Sequence, residues 1–417
     1  MRQKRLFQAL AMPVLVLLVS SIWSAGAGNG PKPVLNRALG DGGVSSFYVW
    51  DKQVPGTPGI LLRQEAIPDN LMLANASKGV RLLYTSTDGI DSRIPVAVSG
   101  AIYFPKGPKP NGGWPIIAWA HGTTGVADVC APSWTLHSQR DTDYLNAWLS
   151  EGYAVVATDY QGLGTPGGHP WLAVKSEGYS VLDSVRAAQK AFPELANRLV
   201  IVGQSQGAQA AASAALLAHQ YAPGLKLKGT VATGIPSFSW LMPETRAKQV
   251  PVRDMGAFFV SAMFTYMEID SSFNPLDYLS DLGKPVFEAA RTTCQADLGQ
   301  MVTKNNVTAA NAFKKTPDAA AAKAAPYLRY PTPRFSEPIF IGTGLADTTV
   351  VPEGQYNFVM AACAEGSTVE AHYYEGKDHS GALNASLVDS KPFVKKILAG
   401  AHIEGNCASV RPPVLGN

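Results

Sequence analysis

Short apolar runs that alternate with helical patterns constrain the fold of this chain more than any other feature. The runs lack the apolar–polar alternation of half-exposed strands, which is typical of strands buried on both faces of a mostly parallel sheet. They are PIIAWA (115–120), YAVVATDY (153–160), LVIVGQ (199–204), GTVATG (229–234), PIFIGTG (338–344) and VEAHYYE (369–375). Helical periodicity lies between them, most clearly at 142–152, 180–192 and 208–222. This order predicts a doubly wound α/β sheet.

The chain before these runs has a different pattern. Segments 81–87 and 94–104 alternate apolar and polar residues, which predicts antiparallel strands covered on one face. Residues 28–80 are rich in Gly, Pro and Asn, and we expect an irregular N-terminal segment there.

A long helical stretch also interrupts the later alternation. It contains MGAFFVSAMFTYMEI and DAAAAKAAPYL, and it lies between two of the buried runs. We therefore predict that residues 237–330 form a helical cap inserted into a main domain made of 81–236 and 331–417.

The N-terminus has the order of a signal peptide. Three basic residues precede an apolar run from Leu6 to Trp23, and Ala25-Gly26-Ala27 then forms an A-x-A site. This order predicts cleavage after Ala27 and a secreted or periplasmic protein, with an uncleaved anchor as the alternative. No later segment is apolar for long enough to cross a bilayer, so we expect no transmembrane segment in the mature chain.

Charge and cysteine content narrow the partners and the compartment. The net charge is +3, and removal of the basic leader brings the chain close to neutrality. No block of like charge is present, which argues against a nucleic-acid partner. For the oligomeric state we expect a monomer. The four cysteines, an even number in an exported chain, predict two disulfides with three pairings open.

A nucleophile motif lies between a buried run and an alanine-rich helix. Gly203-Gln204-Ser205-Gln206-Gly207 fits G-x-S-x-G. The glycines allow a sharp strand-to-helix turn, which exposes the serine hydroxyl at the top of the sheet. We therefore predict that Ser205 is the nucleophile of an α/β-hydrolase fold. A glycine-rich turn with an incidental serine is the alternative.

The base of such a site follows the last strand of the sheet. His379 lies in the glycine-flanked segment just after VEAHYYE, so we predict that it is the base. His372 lies inside that strand and is expected to pack structurally, and His402 is a weaker third choice.

The acid is expected after the preceding strand, where its carboxylate can fix the histidine tautomer. Asp347 follows PIFIGTG and is our prediction. Asp378 and Glu353 are the rivals. A turn or N-cap role is the alternative for Asp347.

The segment His121-Gly122-Thr123-Thr124-Gly125 follows the first buried run, in the position of the H-G-G-G-type motif of esterases. Backbone N–H groups there can stabilise an oxyanion. We assign the donors to the N–H groups of Gln206 and Thr123, with Thr124 as the next choice. His121 is expected to brace the loop.

At this point the chain resembles the secretory lipases of fungi and bacteria, from about residue 80 to residue 409. The resemblance rests on AHGTTGVADVCAPS (120–133), ATDYQGLGTPGGHPWL (157–172), EGYSVLDSVRAAQ (177–189), VGQSQGAQAA (202–211), GTGLADTTVVP (342–352), AACAEGSTVE (361–370) and KDHSGAL (377–383). It implies hydrolysis of carboxylic esters of fatty acids, transient contact with a lipid interface, and no metal or organic cofactor. It also implies the disulfides Cys130–Cys294 and Cys363–Cys407.

Two residues depart from the fungal pattern, because Gln204 and Gln206 stand where a tyrosine and a glycine are usual. Candidates for contact with the substrate are Asp159, His169, Gln204, Phe259 and Met263. For the first two a structural loop role is the alternative, and for the last two a buried cap helix. A serine peptidase or amidase on the same fold, and a non-catalytic binding module, are the alternative functions.

Overall fold

The computed structural model describes residue 32 and residues 34–236, 256–330 and 332–413. Within these ranges the chain forms a nine-stranded sheet in the order β1-β2-β3-β5-β4-β6-β7-β8-β9. The strands are β1 (Leu61–Ala66), β2 (Ala76–Thr87), β3 (Pro95–Pro105), β4 (Trp114–Ala120), β5 (Ala154–Thr158), β6 (Leu195–Gln204), β7 (Leu227–Thr233), β8 (Ile339–Gly344) and β9 (Val369–Tyr374).

Strand direction divides the sheet into two parts. The pairs β1–β2, β2–β3 and β3–β5 are antiparallel. From β5 through β4, β6, β7 and β8 to β9 every pair is parallel. The carboxyl ends of these six strands therefore meet at one edge, where ligands of such sheets bind.

Ten α-helices belong to the described residues. They are α1 (Gln139–Ser150), α2 (Val174–Ala191), α3 (Gln206–Tyr221), α4 (Phe258–Ile269), α5 (Gly283–Ala289), α6 (Gln295–Lys304), α7 (Asp318–Leu328), α8 (Pro352–Ala364), α9 (Gly381–Ala385) and α10 (Leu387–Leu398). One face of the sheet packs on apolar side chains of α2, α3 and α8, and the other on those of α1 and α10. The predicted doubly wound sheet is confirmed.

The helices between β7 and β8 have an apolar core of their own. Side chains of α4, α5, α6 and α7 form it together with the loop around Trp171 and Leu172. The helical character expected between these two strands is therefore present in the described part, 256–330.

The N-terminal segment corrects one prediction. Residues 28–80 were expected to be irregular, but β1 lies at Leu61–Ala66 and β2 begins at Ala76. Among the described strands, β1 pairs only with β2, at the edge of the sheet, and its burial falls along its length without alternation. A strand with that burial has no period-2 pattern to reveal it.

Two disulfides connect distant parts of the chain. Cys130 is bonded to Cys294, and Cys363 to Cys407. These are the pairs that the resemblance implies. The first ties the loop after β4 to the start of α6, and the second ties α8 to the C-terminal tail.

No helix in the described part of the chain is both long and apolar enough to span a membrane.

Candidate active site

One pocket at the carboxyl edge of the sheet brings together the loops that follow β4, β6, β8 and β9. Its volume is about 280 Å³. It is lined by Gly122, Thr123, Arg140, Gln204, Ser205, Phe258, Thr348, Thr349, Asp378, His379 and Ser380. The predicted nucleophile, Ser205, and the predicted base, His379, therefore line the same pocket.

The turn that carries Ser205 has the shape that its glycines predict. Ser205 has φ 59° and ψ −123°, values that a residue with a Cβ rarely adopts. A Cβ on Gly203 would overlap the carbonyl oxygen of Gly207, and a Cβ on Gly207 would overlap that of Ala120. The Ser205 N–H donates to the Thr233 carbonyl at 2.9 Å, which fixes the turn to β7.

His379 and Asp347 form a close pair. The His379 Nδ1 lies 2.7 Å from the Asp347 Oδ2, and the Asp347 side chain is fully buried. A hydrogen bond of this kind keeps the proton on Nδ1, so Nε2 can accept one. The Nε2 atom is buried and has no hydrogen-bond partner among the described residues.

Further polar groups hold the Asp347 carboxylate in place. The Oδ1 atom accepts from the N–H groups of Thr349 at 2.9 Å and Val350 at 2.8 Å. The buried Gln355 donates from Nε2 to Oδ2 at 3.1 Å. These three contacts hold the carboxylate in one orientation beside His379.

The loop that carries His379 packs against the Ser205 turn and the end of β7. Gln204 donates from Nε2 to the His379 carbonyl at 3.1 Å. Gly234 has φ 61°, and a Cβ on it would come within 2.8 Å of the imidazole Cε1. Only glycine therefore fits beside the ring.

The rival acids and histidines have other contacts. The Asp378 Oδ1 accepts from the Gly381 N–H at 2.6 Å, although Asp378 also lines the pocket. His372 lies in β9 and stacks on Phe340 with ring centres 5.1 Å apart. His402 lines a separate surface groove with His372.

Of the two predicted oxyanion donors, Gln206 directly follows Ser205 and Thr123 lines the same pocket. Gln206 is the first residue of α3, so its N–H has no intrahelical partner and lies at the positive end of the helix. Thr123 lines the same pocket, and its Oγ1 accepts from the Trp171 Nε1 at 3.0 Å. That contact ties the Thr123 loop to the chain leading into α2.

Asp159 corrects a prediction, because it is not on the pocket. Its carboxylate is 1% exposed and accepts from Ser99 Oγ at 2.6 Å and from the Ser133 N–H at 2.9 Å. Burial raises the pKa of this carboxyl. His121 lies beside it, with its ring nitrogens 2.7 Å from the Gly122 carbonyl oxygen and 3.2 Å from that of Asp159. Burial lowers the pKa of the ring, and a neutral imidazole donates to only one of the two carbonyls. Both residues brace the loops beneath the site.

His169, Phe259 and Met263 also do not line the pocket. His169 is fully buried behind the nucleophile turn, where its Nε2 lies 2.9 Å from the Gln206 Nε2. Phe259 and Met263 are 3% and 1% exposed and belong to the apolar core of the cap helices. Their neighbour Phe258 lines the pocket instead, because successive helical positions point about 100° apart.

Several residues of the site were not predicted. The structure adds Arg140, Thr348, Thr349 and Ser380 to the wall and Gln355 behind it. Thr348 and Thr349 directly follow Asp347 and Ser380 follows His379, so their position was a usable signal. Arg140 is the second residue of α1 and belongs to no recognisable motif, so nothing in the sequence marks it.

Comparisons with known proteins find similarity to secreted lipases. Residues 128–242 match the model of the secretory lipase family. Lipase A of Moesziomyces aphidis is 23% identical over 391 residues, which cover 86% of this chain and 80% of that protein.

Two solved structures have a similar fold. Candida antarctica lipase A in its closed state aligns with a TM-score of 0.63 at 21% identity, covering 86% of both chains. A rice cell wall degrading esterase of Xanthomonas oryzae aligns with a TM-score of 0.62 at 17% identity, covering 83% of this chain and 100% of that one. The α/β-hydrolase fold is therefore confirmed. The family match and the sequence relatives confirm the resemblance to the secretory lipases and the enzyme class that it implies, a carboxylic ester hydrolase.

Proposed function

We propose that this relative of the secretory lipases is an exported serine hydrolase that cleaves carboxylic esters of fatty acids through an acyl-enzyme. Ser205 is the nucleophile, His379 the general base and Asp347 its partner. The observation that carries the proposal is the 2.7 Å contact between Asp347 and His379, on a pocket that also holds the strained Ser205 turn.

Acylation begins when the Ser205 Oγ attacks the ester carbonyl carbon. His379 Nε2 takes the hydroxyl proton as the new C–O bond forms, and the carbonyl electrons move onto the oxygen. Asp347 stabilises the resulting imidazolium. When the tetrahedral intermediate collapses, the ester C–O bond breaks and the alcohol leaves with the proton from Nε2.

Deacylation repeats these steps with water. His379 takes a proton from the water molecule as its oxygen attacks the acyl carbon. The second intermediate collapses with return of the proton to the Ser205 Oγ, which frees the fatty acid and the enzyme. In both halves the N–H groups of Gln206 and Thr123 stabilise the oxyanion, a role for which each donor contributes roughly 10²–10³ in rate.

The lining and the volume of the pocket indicate which acyl chain length it can accept. Phe258 is the one large apolar side chain on its described part, and Arg140, Gln204 and Asp378 are polar. A volume of about 280 Å³ is small for a ligand site. We therefore expect the rate to be highest for short acyl chains.

The domain organisation completes the proposal. Because β1 and β2 belong to the sheet, residues 61–236 and 331–417 would form the hydrolase domain. Residues 237–330, of which 256–330 are described, would form a cap whose helix α4 contributes Phe258 to the pocket. Residues 1–27 would direct export and be removed, which agrees with two disulfides in the remaining chain.

Hydrolysis of 4-nitrophenyl esters from acetate to palmitate tests the proposal, with purified mature protein and its Ser205→Ala variant. We expect turnover that is highest at acetate or butyrate and at least 10³-fold lower in the variant. The matched control is Ser150→Ala, which removes an exposed hydroxyl at the end of α1 that does not line the pocket and should leave the rate within a few-fold. A Ser205→Ala protein as active as the parent would overturn the assignment.

Two further measurements separate the alternative functions. A matched 4-nitroanilide series would be cleaved at a comparable rate by an amidase, whereas we expect ester cleavage to dominate. A fluorophosphonate probe should label Ser205 in the parent protein, and no labelling would indicate a non-catalytic module.

A further inference from the structure

Three buried polar side chains meet directly behind the nucleophile turn. Glu177 of α2, His169 of the preceding loop and Gln206 of α3 are all at most 2% exposed. The Gln206 Nε2 lies 2.9 Å from both the Glu177 Oε1 and the His169 Nε2. The two hydrogens of one amide group are therefore fully used.

The hydrogen-bond directions fix the state of the histidine. His169 Nε2 must accept the amide hydrogen, so its proton is on Nδ1, which donates to the Gln161 carbonyl at 2.8 Å. Burial lowers the pKa of His169 to about 4, which agrees with a neutral ring.

Glu177 connects the loop and the helix. Its Oε1 also accepts from the Leu172 N–H at 2.8 Å, so a single oxygen bonds both Leu172 and Gln206. No cationic side chain is bonded to Glu177 in the part of the chain that the structure describes. A buried carboxyl with only neutral donors favours its protonated form.

We infer that Glu177 is a positioning residue of the active site, which as a neutral acid holds the Gln206 side chain, together with His169, and so aims the Gln206 N–H at the oxyanion. The inference rests on the proposed function. The two hydrogen bonds anchor the amide end of Gln206 and so restrain the first residue of α3, whose backbone N–H is the proposed oxyanion donor beside Ser205. The fungal pattern usually has a glycine in place of Gln206, and a glycine has no side chain for Glu177 and His169 to bind.

Glu177→Met and Glu177→Gln test the inference by comparing loss of the acceptor oxygen with its retention. Both side chains are close in shape to glutamic acid, but only glutamine can accept from Leu172 and Gln206. The control is Asp183→Leu, because Asp183 is a second buried carboxyl on α2 that bonds Ser86 and Tyr221 instead. Rates are expressed per fluorophosphonate-labelled site, so that unfolded protein does not count.

A donor that serves only the transition state changes kcat and leaves KM unchanged. We expect Glu177→Met to lose roughly 10-fold to 100-fold in kcat with KM within about twofold, while Glu177→Gln and Asp183→Leu stay within about threefold. Binding of an alkyl boronic acid, a tetrahedral mimic, should weaken in proportion. An unchanged kcat in Glu177→Met, or an equal loss in Asp183→Leu, would overturn the inference. If Ser205→Ala is active, the proposed function itself has failed.

The pH profile provides a second measurement that needs no apolar variant. Burial raises the pKa of Glu177 to about 8. Above that pH a negative charge behind the turn would oppose the negative charge forming on the substrate oxygen. The other groups facing Glu177 are His169, whose pKa is about 4, and the phenols of Tyr160 and Tyr330, whose pKa values burial raises well above 10. We expect kcat to fall above about pH 8 and the fall to disappear in Glu177→Gln; the same alkaline fall in both proteins would contradict a neutral Glu177.

Discussion

Replacing Ser205 by glycine and by alanine separates the backbone strain of the nucleophile turn from its chemistry. Both variants lack the hydroxyl and differ by one methyl group. At φ 59° and ψ −123° a residue with a Cβ is strained by about 1–3 kcal/mol. Glycine avoids this strain but loses about 0.4–1 kcal/mol through the greater entropy of its unfolded chain. We therefore expect Ser205→Gly to be the more stable variant by about 1 kcal/mol.

Urea unfolding followed by tryptophan fluorescence measures this difference, because the unfolding free energy falls linearly with urea concentration. The matched control is Ala322→Gly at an exposed position of α7, where the same methyl group is removed from ordinary helix. That change should destabilise the protein by about 1 kcal/mol, the opposite sign. If Ala322→Gly lowers the unfolding free energy as expected but Ser205→Ala is as stable as Ser205→Gly, the strain argument is refuted.

Three further outcomes follow from the contacts described above. Glu177→Gln should stabilise the protein increasingly as pH rises from about 4.3 to about 8, because the native carboxyl keeps a proton that the unfolded chain releases. The gain should reach a few kcal/mol by urea unfolding, and parallel pH curves for the two proteins would contradict it. Asp347→Asn should lower kcat on 4-nitrophenyl butyrate by roughly 10⁴-fold, since the amide favours the wrong tautomer of His379, whereas a loss under tenfold would argue for another acid. Replacing both Cys130 and Cys294 by serine should lower the unfolding free energy by about 5 kcal/mol, because the bridge spans 164 residues, and an unchanged urea midpoint would show that the bridge constrains little.

The sequence predicted the parallel strands well because their burial on both faces leaves long apolar runs between turns. It did not reveal β1, whose edge position produces neither a run nor an alternation. The Ser205 turn was predictable because its steric requirement for glycine is local, and Gly203 and Gly207 each lie two residues from the serine.

Residues that act across the fold were harder to predict. Asp159 and His169 stand among glycines on a loop at the catalytic edge, and a buried, fully bonded side chain has the same sequence pattern there as one that faces substrate. Gln355 and Glu177 lie inside helices, where nothing local distinguishes them from ordinary polar positions. Their contacts with Asp347 and Gln206 depend on packing between segments that are distant in the chain.

The order of the proposed catalytic residues along the chain also determines when the site can be assembled. Ser205 follows a central strand, whereas Asp347 and His379 follow β8 and β9, the last strands to be synthesised. The growing polypeptide therefore carries an unactivated serine while the cap and everything after it are still being made. Completion requires β9 to dock at the sheet edge, where the Cys363–Cys407 bridge forms only under oxidising conditions. On the proposed assignment, Ser205 therefore stays without its base until β9 has been made and has docked beside β8.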